Sequence, residues 1–155
     1  MNASKSRGFR LDWLFYFLAA LGLVGLIMSS MAKEIAGNPA RDATADLGPN
    51  GLVTIRLTTN PFPPLPTGNV VLNFMAMDSR QRSVEVDGIT YEYGMTGNEQ
   101  PLGSGTAQLI PESSMYMFTG NVQFPSVGDW WIQARIIKGN TQADVKFTVY
   151  VKPAQ

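Results

Sequence analysis

The hydrophobic pattern divides the chain into one long apolar run followed by a series of short alternating runs. The long run covers nineteen residues, Trp13 to Met31, and contains no charged side chain. A helix of that length spans roughly 28 Å, which is close to the hydrocarbon thickness of a bilayer. The run therefore predicts a transmembrane helix over residues 13–31.

Charges beside this run predict its orientation. Lys5, Arg7 and Arg10 precede it, against one acidic residue, Asp12. Because positive charge is retained on the cytoplasmic side, we expect residues 1–12 to form a cytoplasmic tail. The remaining chain is then extracytoplasmic, which means periplasmic in a bacterium, and the protein is held in the cell membrane by a single pass through the lipid.

A cleaved signal peptide is the alternative interpretation of the same run. Ser30, Met31 and Ala32 supply small residues of the kind found at a cleavage site. However, the run is longer than the about 7 to 15 residues of a signal core, and Trp13 and Tyr16 are placed as an interfacial aromatic anchor. We therefore predict that the helix is retained.

Small residues recur along the predicted helix at helical spacing, at Ala19, Gly22, Gly25 and Ser29. Such a stripe lets a second transmembrane helix approach closely, so these residues are candidates for contact with another membrane subunit. The alternative is that glycine and alanine are simply common in membrane helices.

After the anchor, the pattern predicts a stalk and then a β-rich domain. In residues 32–51, Gly, Pro, Asn and Asp interrupt the apolar residues, which is typical of a linker. From Leu52 to Thr58 apolar and polar residues alternate, with Val53, Ile55 and Leu57 on one face. Similar runs follow at 70–76, 83–86, 89–93, 105–110, 115–124, 130–137 and 143–151. About seven short strands without an amphipathic helix predict an immunoglobulin-like antiparallel β-sandwich over residues 52–152.

The alternation also assigns side chains to the inside or the outside of the predicted sandwich. Trp130 falls on the core face, whereas Trp131 and Ile137 fall on the outer face. Four methionines also fall on outer faces: Met75, Met77, Met115 and Met117. Methionine and aromatic side chains are enriched at interface cores, so this set predicts a contact surface for another subunit, and the methionines alternatively predict a membrane-proximal interface. A further alternative is an error in the assignment of the strand faces.

Composition excludes several classes of function. The net charge is zero, and after the tail eleven acidic residues outnumber nine basic ones, so the domain has no basic surface for nucleic acid. The chain contains no cysteine and no histidine, which removes the usual thiolate and imidazole ligands and the commonest general base. We therefore expect a non-catalytic protein without a cofactor.

The order of features after residue 52 resembles that of a known family. A Pro-rich loop ends in Pro66-Thr-Gly-Asn69, a strand ends at Asp78, and an aromatic strand leads to Met95. The segments Phe118-Thr-Gly-Asn-Val-Gln-Phe-Pro125 and Val127-Gly-Asp-Trp130 then precede the closing strand. Over about residues 52–152, this arrangement resembles the YtkA-like, or FixH-like, domain.

The resemblance implies a small extracytoplasmic β-sandwich, often on one N-terminal transmembrane helix, associated with cytochrome oxidase assembly or copper handling. The chain departs from the family pattern in two respects. It has no histidine, and Met95 is followed by Thr96-Gly97, where family members tend to have Met-Pro and further methionines.

Three functional hypotheses follow. In the first, the protein is an accessory subunit of a hetero-oligomeric membrane complex, and the resemblance implies a respiratory-chain or photosynthetic electron-transfer complex. In the second, also implied by the resemblance, it is a copper-handling factor for cytochrome oxidase assembly. Thioethers are soft ligands that suit Cu(I), and the candidate ligands are Met75, Met77, Met95, Met115 and Met117. The third is a free-standing, membrane-anchored binding module.

Overall fold

The computed structural model describes residues 39–111, 113 and 115–153. The predicted tail, the transmembrane helix with its small-residue stripe, and the first part of the stalk lie outside the described residues. Among the residues that the structure describes, no helix is both long and apolar enough to cross a membrane.

The described chain folds into eight antiparallel strands. Their bounds are β1 Arg41–Asp46, β2 Leu52–Asn60, β3 Asn69–Met77, β4 Gly88–Met95, β5 Gly103–Leu109, β6 Met117–Gln123, β7 Gly128–Lys138 and β8 Thr141–Val151, with a short 3₁₀ helix at Gly48–Asn50. The strand order is β1-β2-β3-β6-β5-β4-β7-β8. The predicted class, mainly β and antiparallel, is confirmed.

The sheet is nearly closed, because β5 changes partners along its length. Residues 103–107 of β5 pair with β4, whereas Gln108 and Leu109 pair with Thr119 and Phe118 of β6. The first and last strands in this order, β1 and β8, lie beside each other. Two halves of one continuous sheet, joined through β5, therefore enclose the core.

Alternating residues form the core, as the hydrophobic pattern predicts. Val53, Ile55 and Leu57 of β2 are buried, as are the inward residues of β3 and β7: Val70, Leu72, Phe74, Ala76, Trp130, Ile132, Ala134 and Ile136. The Trp130 ring lies 5.2 Å from that of Phe124. Its indole Nε1 donates a hydrogen bond to the Ser126 carbonyl at 3.0 Å, so the polar edge of this core side chain is satisfied.

Tyr91 fills the gap where β5 separates from β6. Its hydroxyl donates to the Asn121 carbonyl at 2.7 Å and accepts from the Asn121 amide at 3.0 Å. A Cβ on Gly105 would lie 2.5 Å from the Tyr91 hydroxyl oxygen, so this glycine leaves the space that the ring occupies. Burial raises the pKa of Tyr91 above its ordinary value. The hydroxyl thus satisfies backbone groups of β6 where β5 no longer pairs with them.

The structure has one nearly closed sheet of eight strands where a sandwich of about seven was predicted, and it also differs from the prediction in two segments. Residues 41–46, inside the segment predicted as a stalk, form β1 and pair with β2 from Arg41 opposite Leu57 to Asp46 opposite Leu52. The small side chains of β1 gave a weak hydrophobic signal, although Ala45 is buried. In contrast, the predicted run at 83–86 forms no strand and makes a single bridge, between Ser83 and Met77.

Successive strands run in opposite directions, so the loops gather at two ends of the domain. We call one end proximal, because the described chain begins there; it comprises residues 39–40, 61–68, 96–102, 124–127 and 152–153. The distal end comprises residues 47–51, 78–87, 110–116 and 139–140.

Candidate partner interface

Two of the predicted outward methionines are direct neighbours. Met75 of β3 is the cross-strand partner of Met117 of β6, and both side chains are half-buried on the outer face. Their positions follow from the strand alternation, because Phe74 and Phe118 beside them point into the core. The two thioethers therefore lie side by side near the distal ends of their strands.

Met77 lies beside this pair but is not exposed. Its side chain is 3% exposed, and the loop after β3 folds back over it through the bridge to Ser83. The Val84 amide also donates to the Ala76 carbonyl at 2.9 Å. The predicted exposure of Met77 is wrong, because strand alternation specifies the face of a side chain and does not reveal a loop that covers it.

The loop before β6 adds further apolar groups at the same end. The Ile110 amide donates to the Met117 carbonyl at 2.9 Å, and the Tyr116 amide donates to Ser83 Oγ at 2.8 Å. Leu109, Met115 and Tyr116 are 47%, 44% and 38% exposed, respectively. They line a groove of about 280 Å³ together with Ile110, Pro111 and Ser113.

We define the methionine patch as Met75, Met115 and Met117 together with Leu109 and Tyr116, all near the distal end of the domain. Leu109 is opposite the inward-pointing Phe118, so it adjoins the methionines from the inner side of the sheet. The sequence pattern identified its three methionines. It missed Leu109 and Tyr116, because both lie inside runs predicted as strands, 105–110 and 115–124, and strand alternation does not show which side chains at a strand end stay exposed. The contact between Met75 and Met117 depends on the pairing of β3 with β6, which are far apart in sequence.

Trp131 does not belong to this surface. It is on the outer face, as predicted, but is only 7% exposed, because its own chain covers it. Its Nε1 donates to the Asn98 carbonyl at 2.9 Å, and Lys146 Nζ lies 4.9 Å from the ring centroid. A Cβ on Gly94 would lie 2.5 Å from Trp131 Cζ2. The predicted exposure of Trp131 is therefore wrong.

Two other predicted residues lie apart from the patch. Ile137 is half-buried on β7 and pairs with Gly88 and Gln142, so it belongs to the other half of the sheet. Met95 ends β4 opposite Trp130 and is 40% exposed at the proximal end. The structure therefore brings together four of the five candidate methionines and leaves Met95 at the opposite end.

A charged pair borders the patch. Arg56, which is opposite Met75, donates from Nε and Nη2 to the two carboxylate oxygens of Asp42, both at 2.8 Å. The hydrogen bond from Arg56 lowers the pKa of Asp42, and the same bond raises the pKa of Arg56. This bidentate pair forms a polar margin on one side of the methionines.

Other carboxylates of the domain are similarly paired with arginine. Asp78 accepts from Arg82, and Asp144 accepts from Arg135. Within residues 39–111, 113 and 115–153, no three His, Cys, Asp or Glu side chains are grouped so that they can hold a metal ion. Within the described domain, the adjacent soft ligands are therefore the thioethers of Met75 and Met117.

Comparison with known proteins supports the fold. No family model matches the chain, and no curated protein matches it. A copper-bound variant of FetP from uropathogenic Escherichia coli strain F11 is similar in structure, with a TM-score of 0.50, 12% sequence identity, and coverage of 74% of this chain and 95% of FetP. At this identity, the likeness shows a shared β-rich fold.

Two further solved structures are similar at lower scores. FetP of the same strain in its 'as isolated' form, expressed recombinantly in the periplasm of Escherichia coli BL21(DE3), has a TM-score of 0.49 and 13% identity, with coverage of 74% of this chain and 95% of that one. An engineered protein has a TM-score of 0.44 and 13% identity; the match covers 65% of this chain and 20% of the engineered protein.

Proposed function

We propose that this protein is a single-pass, membrane-anchored, non-catalytic accessory subunit of a membrane complex, and that the methionine patch binds an extracytoplasmic partner subunit. The main observation that supports this proposal is the exposed apolar patch beside a polar margin. Its composition is that of an interface core, in which methionine and tyrosine are enriched. Flexible thioethers also adapt to the shape of a partner.

Burial of the patch would be energetically favourable. Leu109, Met115 and Tyr116 leave large parts of their side chains in water, and each Å² of apolar surface removed from water contributes about 25 cal/mol. Met75 and Met117 add half-buried apolar surface on the outer face of β3 and β6 at the same end of the domain. Arg56 and Asp42 remain hydrated at its margin and would select a partner with complementary charge.

The non-catalytic part of the proposal rests on the chemistry available. The whole chain lacks cysteine and histidine, so general acid–base work would fall to carboxylates. Asp42, Asp78 and Asp144 each form an ion pair with arginine, and these hydrogen bonds lower their pKa values. Their carboxylates therefore stay ionised at neutral pH and are poor proton carriers there.

The electron-transfer context and the extracytoplasmic location come from the sequence. The resemblance to YtkA-like and FixH-like domains supplies the respiratory or photosynthetic setting, and the charges before residue 13 supply the orientation. The anchor would hold the subunit in the membrane while the domain contacts other subunits of the hetero-oligomer.

Copper handling is the second candidate function. The observation that favours it is the Met75–Met117 pair, because two adjacent thioethers are suited to Cu(I). FetP, which shares the fold, has been crystallised with copper bound. The residues fit a soft monovalent ion, and two further thioethers, Met115 and the buried Met77, each lie two residues along the chain from a member of the pair.

A charged substitution in the patch tests the partner interface. In the full-length protein, Tyr116→Glu should weaken co-purification of partner subunits by about 2 kcal/mol or more, roughly 30-fold in affinity, because it buries an unpaired charge. Tyr150→Glu is the matched control, since Tyr150 is 51% exposed on another part of the sheet. Equal recovery of partners with both variants would reject the interface.

Isosteric substitution separates copper handling from partner binding. Met75→Leu with Met117→Leu keeps apolar volume but removes the soft ligands. If the patch is an interface, this double variant should retain its partners. If it is a Cu(I) site, titration with Cu(I) should show binding to the parent and to Met95→Leu, and loss of binding in the double variant.

A further inference from the structure

The proximal end carries exposed apolar side chains in its loops and at the end of β4. Leu65, Met95, Leu102 and Val127 are between 39% and 57% exposed. They come from four different segments around the same end of the domain. Grooves of about 450 and 350 Å³ adjoin Leu65 and Leu102, respectively.

The backbone and charge of this end suit a surface of low polarity. Eight of the ten prolines lie here: Pro39, Pro61, Pro63, Pro64, Pro66, Pro101, Pro125 and Pro153. Proline has no amide hydrogen, so these loops have fewer backbone donors that lose hydration when water is excluded. The described proximal loops contain two charged side chains, Glu99 and Lys152, and Arg41 and Asp129 lie at the adjoining strand ends, whereas the distal loop 78–87 alone contains five.

The chain outside the structure also leads to this end. The predicted anchor ends at Met31, and the described chain begins at Pro39 and enters β1 at the proximal end. Residues 32–38 can span at most about 25 Å when fully extended. The proximal loops are therefore tethered within reach of the lipid headgroups if the anchor is retained.

We infer that the proximal end is seated in the interfacial layer of the bilayer that holds the anchor, with Leu65, Leu102 and Val127 inserted among the headgroups. This inference rests on the proposed membrane anchoring. Apolar side chains at loop tips gain by leaving water at the boundary between headgroups and acyl chains, and Lys152 favours anionic lipid.

This seating would fix the orientation of the domain. The strands run from the proximal to the distal end, and a strand of nine residues such as β3 is roughly 30 Å long. The methionine patch would then be held about that far above the lipid surface, at the height of an extracytoplasmic partner domain.

Single-cysteine labelling of the full chain tests the inference, because the protein has no native cysteine. Leu65→Cys and Leu102→Cys place an environment-sensitive fluorophore at the proximal end. Leu52→Cys places it at the distal end, where Leu52 is 60% exposed. All three positions are exposed, so the replacements leave the core intact.

The labelled proteins are reconstituted in vesicles of phosphatidylcholine with a minor fraction of phosphatidylglycerol. We expect labels at 65 and 102 to be quenched by lipid-attached nitroxides and to be several-fold less accessible to aqueous iodide than the label at 52. Equal iodide access at all three positions would overturn the inference. Protection from iodide without quenching by lipid nitroxide would also overturn it, because a second protein molecule would then cover this end.

Carbonate extraction of the same vesicles distinguishes this inference from the proposed anchoring. Recovery of the chain in the membrane pellet with all labels open to iodide would overturn only the seating. Release of the chain into the supernatant would overturn both the anchor and the inference that depends on it.

Discussion

The two ends of the domain use the same local turn with opposite chemistry. In the distal loop 78–87, Asp78 Oδ1 accepts a hydrogen bond from the Arg80 amide at 2.8 Å. In the proximal loop 96–102, Asn98 Oδ1 accepts from the Gln100 amide at 3.1 Å. Asp78 is charged and also paired with Arg82, whereas the Asn98 side chain is neutral. Similar backbone geometry thus occurs in a turn whose acceptor is charged and in one whose acceptor is neutral.

The difference extends to what holds each loop against the sheet. The proximal loop is fixed by Trp131, whose indole donates to the Asn98 carbonyl, and by the hydrogen bond from the Leu102 amide to the Tyr93 carbonyl. The distal loop is fixed by its ion pair and by the bridge from Ser83 to Met77. We therefore expect the proximal end to respond to changes in packing and the distal end to respond to pH.

Truncation of the two adjacent tryptophans should give the largest effects. Trp130→Ala should lower the free energy of unfolding by about 3 to 5 kcal/mol, since it empties a fully buried volume beside Phe124. Trp131→Ala should cost about 2 kcal/mol through lost packing and one lost hydrogen bond. Urea denaturation measures both values. A variant Trp131→Ala that is as stable as the parent would show that the proximal loop does not depend on this ring.

Crowding of Trp131 should give a smaller but specific effect. Gly94→Ala places a Cβ 2.5 Å from Trp131 Cζ2, and relief of such a clash costs about 1 to 3 kcal/mol. Gly88→Ala is the matched control on the same strand and face, because a Cβ there meets nothing within 4 Å. Thermal melts should rank Gly94→Ala well below Gly88→Ala. The reverse order would be incompatible with the packing of Trp131 on β4.

Acid should loosen the distal loop and spare the proximal one. Hydrogen bonds from the Arg82 backbone and side chain lower the pKa of Asp78, so the ionised form is favoured in the folded state. Its contribution is present above the ordinary aspartate pKa of about 3.9 and is lost as the pH falls through the lower folded value. In an NMR titration, the Arg80 and Arg82 amide shifts should move with a midpoint below the ordinary aspartate value, while that of Leu102, whose amide donates to the Tyr93 carbonyl, stays constant. A midpoint at or above the ordinary aspartate value would contradict the hydrogen-bonded turn.

Strand alternation predicted the inner faces of β2, β3 and β7 correctly, because burial of Val, Ile, Phe and Trp on one face is a strong local signal. It missed β1, whose inward residues include Ala43 and Ala45, since small side chains contribute little to that signal. The assignment of faces was also right for Trp131, yet the side chain is buried by residues 96–99. Coverage of a strand by a loop is a tertiary feature that a period of two does not encode.

Part of the candidate site could also be predicted from the sequence. The methionines at positions 75 and 117 were assigned to outer faces by the same alternation. Their contact depends on the strand order, in which β6 pairs with β3 across the sheet, and no local pattern specifies that order. Met95 was grouped with them by residue type alone, and the topology places it at the other end of the domain.

Site-specific photo-crosslinking in native membranes tests most directly whether the distal end binds a protein partner and the proximal end contacts lipid. A benzophenone side chain is introduced in the full chain at the position of Tyr116, Leu102 or Tyr150, all of which are exposed. We expect a discrete protein adduct from position 116, a lipid adduct from position 102, and neither from position 150. A protein adduct from position 102 together with none from position 116 would contradict the assignment of partner and membrane to the distal and proximal ends.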